Sequence, residues 1–192
     1  MADRNNIITL PNPKLNKKSI KIDVIKKGTQ NLVDKMTTVS LDWEDHHAHE
    51  VTVGLAAVQI GIMDRIVIIR NDFDNKEDKK FRALINPEIV KVEGDPVYQA
   101  EGCLSVAGYY GRVKRHPKIT IKALDLDGKP VRITAVDFLA RLLQHEIDHI
   151  NGKTYIDRLD HHSELYEMTE SGNLQLLDDE QFETALHGLR SH

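Results

Sequence analysis

Apolar residues recur at two periods along this chain, and the places where the period changes mark its elements. From Thr29, a candidate N-cap, Leu32, Val33, Met36 and Val39 fall at helical spacing, which predicts an amphipathic helix from residue 29 to about 43. Ahead of it, Pro11, Pro13, Lys14, Lys17 and Lys18 mark an extended, exposed entry leading to Ile20 to Val24. The stretch Trp43 to Glu50 then breaks the pattern and reads as a solvated loop, whose neighbouring histidines do not share a face. Gly54 to Gly61 is small and apolar and reads as a buried strand. Gln59 is its exception, since a buried amide needs hydrogen-bond partners.

β-rich runs follow at Arg65 to Arg70, Leu84 to Val90, Ile119 to Leu124 and Val131 to Val136. A charged turn, Asn71 to Lys80, separates the first two, and a hairpin signal, Asp125-Leu126-Asp127-Gly128-Lys129, separates the last two. Helical spacing returns after Asp137, a candidate N-cap, and stops at Asn151-Gly152, a left-handed terminator. Strands first, then a long helix inside them, give an α+β fold. Residues 163–192 turn polar, with Leu165, Leu176, Leu177, Phe182, Leu186 and Leu189 as sparse anchors. They read as a helical extension of the same domain, peripheral to the chemistry.

Composition narrows the class. At 192 residues and 40% hydrophobic content, one core can be buried but not two. A net charge of -4 gives no general electrostatic reason to bind nucleic acid or an anionic membrane. The single cysteine, Cys103, excludes an internal disulfide and fits a reducing compartment. The first residues lack the pattern of a secretory signal or transit peptide, and no apolar run approaches the ~18 residues of a membrane span. A soluble, cytoplasmic protein is the expectation.

The chemistry concentrates in Gln144-His145-Glu146-Ile147-Asp148-His149, which carries the metal-site pattern H-E-x-x-H. Histidines four apart share a helix face, about 6 Å apart along the axis, so both imidazoles can reach one ion. Glu146 is placed to manage the protons of a water at an open coordination position. Two solvated histidines on a polar face are the plainer alternative, and a third ligand decides. A zinc protease would draw on Glu164, Glu167 or Glu170; the final histidine of the longer protease motif is replaced by Tyr155. Upstream, Glu101-Gly102-Cys103-Leu104-Ser105 offers the only thiol, a better candidate. A non-catalytic metal-binding protein would use the same three ligands.

Taken in order, Gly54 to Gln59, Glu101 to Ser105 and Gln144 to His149 resemble the three motifs of peptide deformylase, and the resemblance covers roughly residues 10 to 160. It implies a deformylase-like catalytic domain over 1–162, with antiparallel or mixed sheets packed around the metal-binding helix. The implied activity removes the N-terminal formyl group from formylmethionyl nascent polypeptides, releasing formate. By the same resemblance Cys103, His145 and His149 bind one divalent ion, ferrous iron with zinc, nickel or cobalt as substitutes. Glu146 moves the proton, and Gln59 and the Leu104 N–H form the oxyanion hole. Val53, Gly54, Gly102 and Leu142 contact the peptide, Glu101 and Ser105 orient the cysteine loop, and Asp148 or Gln144 holds a ligand histidine. Partners would be formylated nascent chains, met at the ribosome, with no membrane and no sequence-specific nucleic acid. Val58 and Ala107 stand where many members have proline, the loop from Asp42 to Glu50 is longer than usual, and the tail beyond about 165 matches nothing in the pattern.

Overall fold

In the computed structural model, which describes residues 2–47, 51–73, 75, 77–161, 163–169 and 171–190, the Ile66–Arg70 strand (β2) is buried at every position. It lies between two helices. On one side, Ile66 and Ile68 join Leu55 and Ile85 against Leu32, Val33, Met36 and Val39 of α1 (Lys27–Asp45). On the other, Val67 and Ile69 join Leu84, Ile119 and Ile121 against Leu142, Leu143, Ile147 and Ile150 of α2 (Asp137–Ile150). Side chains alternate across a strand, so a strand covered on both faces must be apolar throughout, which is why this run shows no alternation.

The first sheet runs β1 (Gly54–Ala56), β2, β3 (Phe81–Glu93), β6 (Lys118–Leu124) and β7 (Pro130–Val136) in that spatial order. The second contains β4 (Val97–Gly102), β5 (Tyr109–Arg115), β8 (Glu164–Met168) and β9 (Leu174–Leu176). Every strand pair is antiparallel. Among the described residues no helix is long and apolar enough to cross a membrane.

Several sequence expectations are corrected. The Gly54 to Gly61 strand ends at Ala56 and becomes a 3-10 turn, Ala57–Ile60, because the Gln59 side-chain oxygen accepts the Ala56 N–H at 2.9 Å and folds the chain back. Asp137 does not cap α2. It is the first helical residue, with φ 50°, and its N–H goes to the Pro117 carbonyl at 2.8 Å, so β7 runs into the helix without a side-chain cap. Thr29 likewise lies inside α1, accepting the Lys26 N–H. The predicted loop from Trp43 begins instead with the last turn of α1, and Glu44 is buried. Its carboxylate pairs with Arg70 and accepts the Thr52 N–H at 2.7 Å, while Arg70 Nε donates to the Thr52 carbonyl at 3.1 Å. His49 lies outside the described residues. Gly152 does terminate α2, with φ 74° and the Asn16 carbonyl 2.8 Å from where a Cβ would stand.

The extension departs most from its polar appearance. Helix is confined to α3 (Asp179–Arg190), while Glu164–Met168 is a strand paired with β5. Leu165 and Leu186 are buried with Val106, Val113, Tyr155 and Ile156 in a core of their own. We therefore expect removal of residues from Ser163 onward to be costly. Two buried leucines at about 1.5–3 kcal/mol each, with their partners exposed, should lower stability by about 3 kcal/mol or more. Urea unfolding of full-length and shortened protein measures this; coincident midpoints would make the extension peripheral.

Candidate metal centre

Burial of α2 poses an electrostatic problem, since Arg141, Gln144, His145, Glu146, Asp148 and His149 are all buried. The second sheet answers it. Glu101, near the end of β4, accepts from Arg115 Nε at 2.9 Å and Nη2 at 3.0 Å, from Arg141 Nη1 at 2.7 Å and from His145 Nδ1 at 2.9 Å. Asp148 pairs with Arg115 and, at 2.5 Å, with Arg158. Burial alone would raise the Glu101 pKa, but the His145 and Arg115 hydrogen bonds hold it far below the usual carboxylate range.

With Nδ1 committed to Glu101, His145 turns Nε2 inward. That atom lies 3.2 Å from Nε2 of His149, which lies 3.2 Å from Sγ of Cys103. All three ligand atoms fall within 4.8 Å of one another. A tetrahedral ion at about 2.1 Å from nitrogen and 2.3 Å from sulfur spaces its ligands roughly 3.4–3.6 Å apart, so the arrangement fits a metal with little adjustment. A thiolate with two imidazoles suits zinc and other late first-row ions. Burial and the neighbouring His145 push the pKa of His149 down, which favours the neutral, ligating imidazole.

Glu146 stands beside this cluster. Its Oε2 is buried with no partner among the described residues, and Oε1 would lie 2.7 Å from a Cβ added to Gly54. Burial raises its pKa to about 7, the opposite of the shift at Glu101, the other buried carboxylate bordering this site. Gln59 donates from Nε2 to Cys103 Sγ at 3.6 Å and to Ser105 Oγ at 3.3 Å. A cleft of about 470 Å³ opens over the group and is lined by Val53, Gly54, Gln59, Gly102, Cys103, Leu104, Leu142, His145 and Glu146. His149 lies beneath, fully buried.

The supporting roles differ from those expected. Glu101 holds the ligand histidine; Asp148 binds the two arginines, and Gln144 ties α2 to the backbone of His116 through N–H and carbonyl at 3.1 and 2.8 Å. Glu164 pairs with Arg112 and Tyr166 on β8, neither it nor Glu167 belongs to the ligand cluster, and Glu170 lies outside the described residues. Arg115 and Arg141 escaped the sequence reading. The one signal, for Arg141 alone, is a charged residue set in an apolar helix, Ala140-Arg141-Leu142-Leu143.

Residues 4–164 match the polypeptide deformylase family. A peptide deformylase from Thermomicrobium roseum is 40% identical over 182 residues, covering 93% of this chain and 94% of that protein. One from Halothermothrix orenii is 43% identical over 77% of this chain and 88% of its own length. The crystal structure of a peptide deformylase from Legionella pneumophila superposes with a TM-score of 0.70 at 40% identity, over 81% of this chain and 85% of that one. A plant peptide deformylase structure superposes with a TM-score of 0.75 at 28% identity and covers 95% of this chain, thus reaching into the extension, and 87% of its own.

Glu101→Gln tests the support of His145. The amide keeps the shape but leaves two buried guanidinium groups short of a charge, so stability should fall by about 3 kcal/mol or more. Metal affinity should drop roughly 10- to 100-fold. Metal titration beside a denaturation curve reads both, and unchanged affinity would leave the histidine oriented by its neighbours alone.

Proposed function

The chain belongs to the polypeptide deformylase family, and we propose that Cys103, His145 and His149 hold the divalent metal with which it removes the N-terminal formyl group from nascent polypeptides. When bound, the ion supplies Lewis acidity and brings the pKa of water close to neutrality. The chain's own residues do the rest. Glu146 takes a proton from the attacking water and delivers it to the amine as the formyl C–N bond breaks, leaving formate and a free N-terminus. The observation that carries this reading is the Glu146 carboxyl, buried with one oxygen unpartnered beside three convergent ligand atoms.

Gln59 and the Leu104 backbone N–H serve as donors to the developing oxyanion. Both line the cleft, and Gln59 Nε2 already points to the cysteine sulfur. The peptide lies as an added strand. Support comes from topology: β1 and β4 are each the edge of their sheet, and Gly54 and Gly102 from these edges line the same cleft. The methionine side chain then enters beside Val53, Leu142 and His145.

We infer ferrous iron as the native ion, with zinc, nickel and cobalt as substitutes, and the cytoplasm, where formylated chains leave the ribosome, as the place of action. Residues 1–162 form the catalytic unit, which 163–192 completes by pairing with β5. A protease reading would need a downstream glutamate as third ligand, and the cluster takes Cys103 instead.

Cys103→Ala should lose both metal and activity. Glu146→Gln should keep metal and fold while turnover falls ~10²–10⁴-fold, which a non-catalytic metal protein would not show. Formate release from formyl-Met-Ala-Ser by anaerobically purified protein is the direct assay. Formyl-norleucine peptides should be processed nearly as well as formyl-methionine ones, because the two unbranched side chains have nearly the same length and volume and fill an apolar pocket alike. Acetyl-methionine peptides should be inert; acetyl removal within tenfold of formyl removal would point to a broader amidase.

A further inference from the structure

Three walls of the cleft lead outward from the reaction centre. Gly54, packed against Glu146, is preceded by Thr52 and Val51; Gly102 is preceded by Ala100; and on α2 the steps from Glu146 to Leu142 to Phe138 move about 6 Å each. Where Thr52 bonds Glu44 and the Ser40 carbonyl, the cleft has an aromatic end formed by Trp43 and His47, from the last turn of α1 and the residues after it, whose rings stack 4.0 Å apart at 9°; Phe138, with Phe73 at its side 4.9 Å away between ring centroids, also lines the cleft. The Trp43 wall is held in place twice. His47 Nδ1 bonds the Trp43 carbonyl at 2.8 Å, and the buried Glu44–Arg70 pair grips the Thr52 peptide by its N–H and its carbonyl.

Resting on the deformylase reading above, we propose that Trp43, backed by His47, is a specificity residue that receives an aromatic or large apolar side chain at the second or third position of the substrate. An extended peptide with its formyl group at the metal advances about 3.3 Å per residue, which carries these positions along Val53, Thr52 and Val51 to the aromatic end. A half-buried indole already stacked on one face offers contact area at little entropic cost, and aromatic contacts add to simple burial.

The test compares formyl-Met-Ala-Ser, formyl-Met-Phe-Ser and formyl-Met-Ala-Phe on the metal-loaded enzyme. One of the phenylalanine peptides should exceed the alanine-serine peptide in kcat/KM by roughly three- to tenfold, the range that such contacts supply. Trp43→Phe should keep that ratio and Trp43→Ala should abolish it, with the change carried mainly by KM. Trp43 is the only tryptophan of the chain, so its fluorescence gives a second readout that needs no variant: the preferred product peptide should perturb the emission at lower concentration than Met-Ala-Ser does. Equal kcat/KM for all three peptides, or a ratio that survives Trp43→Ala, would overturn the proposal while leaving the deformylase reading intact. No formate from any of the three would instead sink that reading.

Discussion

The Glu101 carboxylate is the constraint on which the rest of the molecule depends. It joins three elements at once: β4, which carries it; β5, through Arg115; and α2, through Arg141 and His145. Isolated, any of these charges would be too costly to bury. Together, Glu101 and Asp148 balance Arg115 and Arg141, and the fourfold arrangement lets a helix with six buried polar side chains sit inside the protein. The register between the second sheet and α2 is thereby fixed. Cys103 follows Glu101 by two residues, so the same contact that orients His145 also sets how far the thiol stands from both imidazoles.

The two buried carboxylates of this region show how environment divides labour between like groups. Glu101 is surrounded by donors and stays ionised as a structural anchor. Glu146, one residue from His145, has burial without a dedicated donor, and its pKa rises to about 7. Opposite shifts in adjacent carboxylates are what a site needs when one must hold still and the other must exchange a proton near neutral pH.

Sequence pattern revealed the elements whose burial is simple. The apolar spacing of Leu32, Val33, Met36 and Val39 and the run Ile66 to Ile69 each describe one face, or two faces, meeting hydrocarbon. The candidate metal site of Cys103, His145 and His149 was legible because H-E-x-x-H with a distant cysteine is a pattern of residue types, independent of packing. Strands β4 and β5 were not legible. Their inward positions include Glu101 and Arg115, so the alternation that marks a half-buried strand is written in charges that cancel against each other and against Arg141 and Asp148 of the distant helix α2. Glu44 misled for the same reason: next to Asp45 and His46 it looks solvated, and only the position of Arg70 shows that it is not.

The polar-looking extension supports one of the two sheets at its edge. Without β8, the second sheet would be the β4–β5 pair alone, and a two-stranded ribbon is marginally stable in water. β8 gives β5 a second neighbour, and α3 covers Tyr155 and Leu165 beneath it. The sheet is therefore reinforced on the side away from the cleft, which leaves β4 as a free edge that is nonetheless firmly held. Exposed edges invite unwanted pairing and most proteins cover them. Here the β4 edge faces β1 across the cleft, carries Glu101 and Gly102 and runs directly into Cys103, so a peptide added at this edge, as proposed above, would lie against the strand that positions the candidate ligand sulfur.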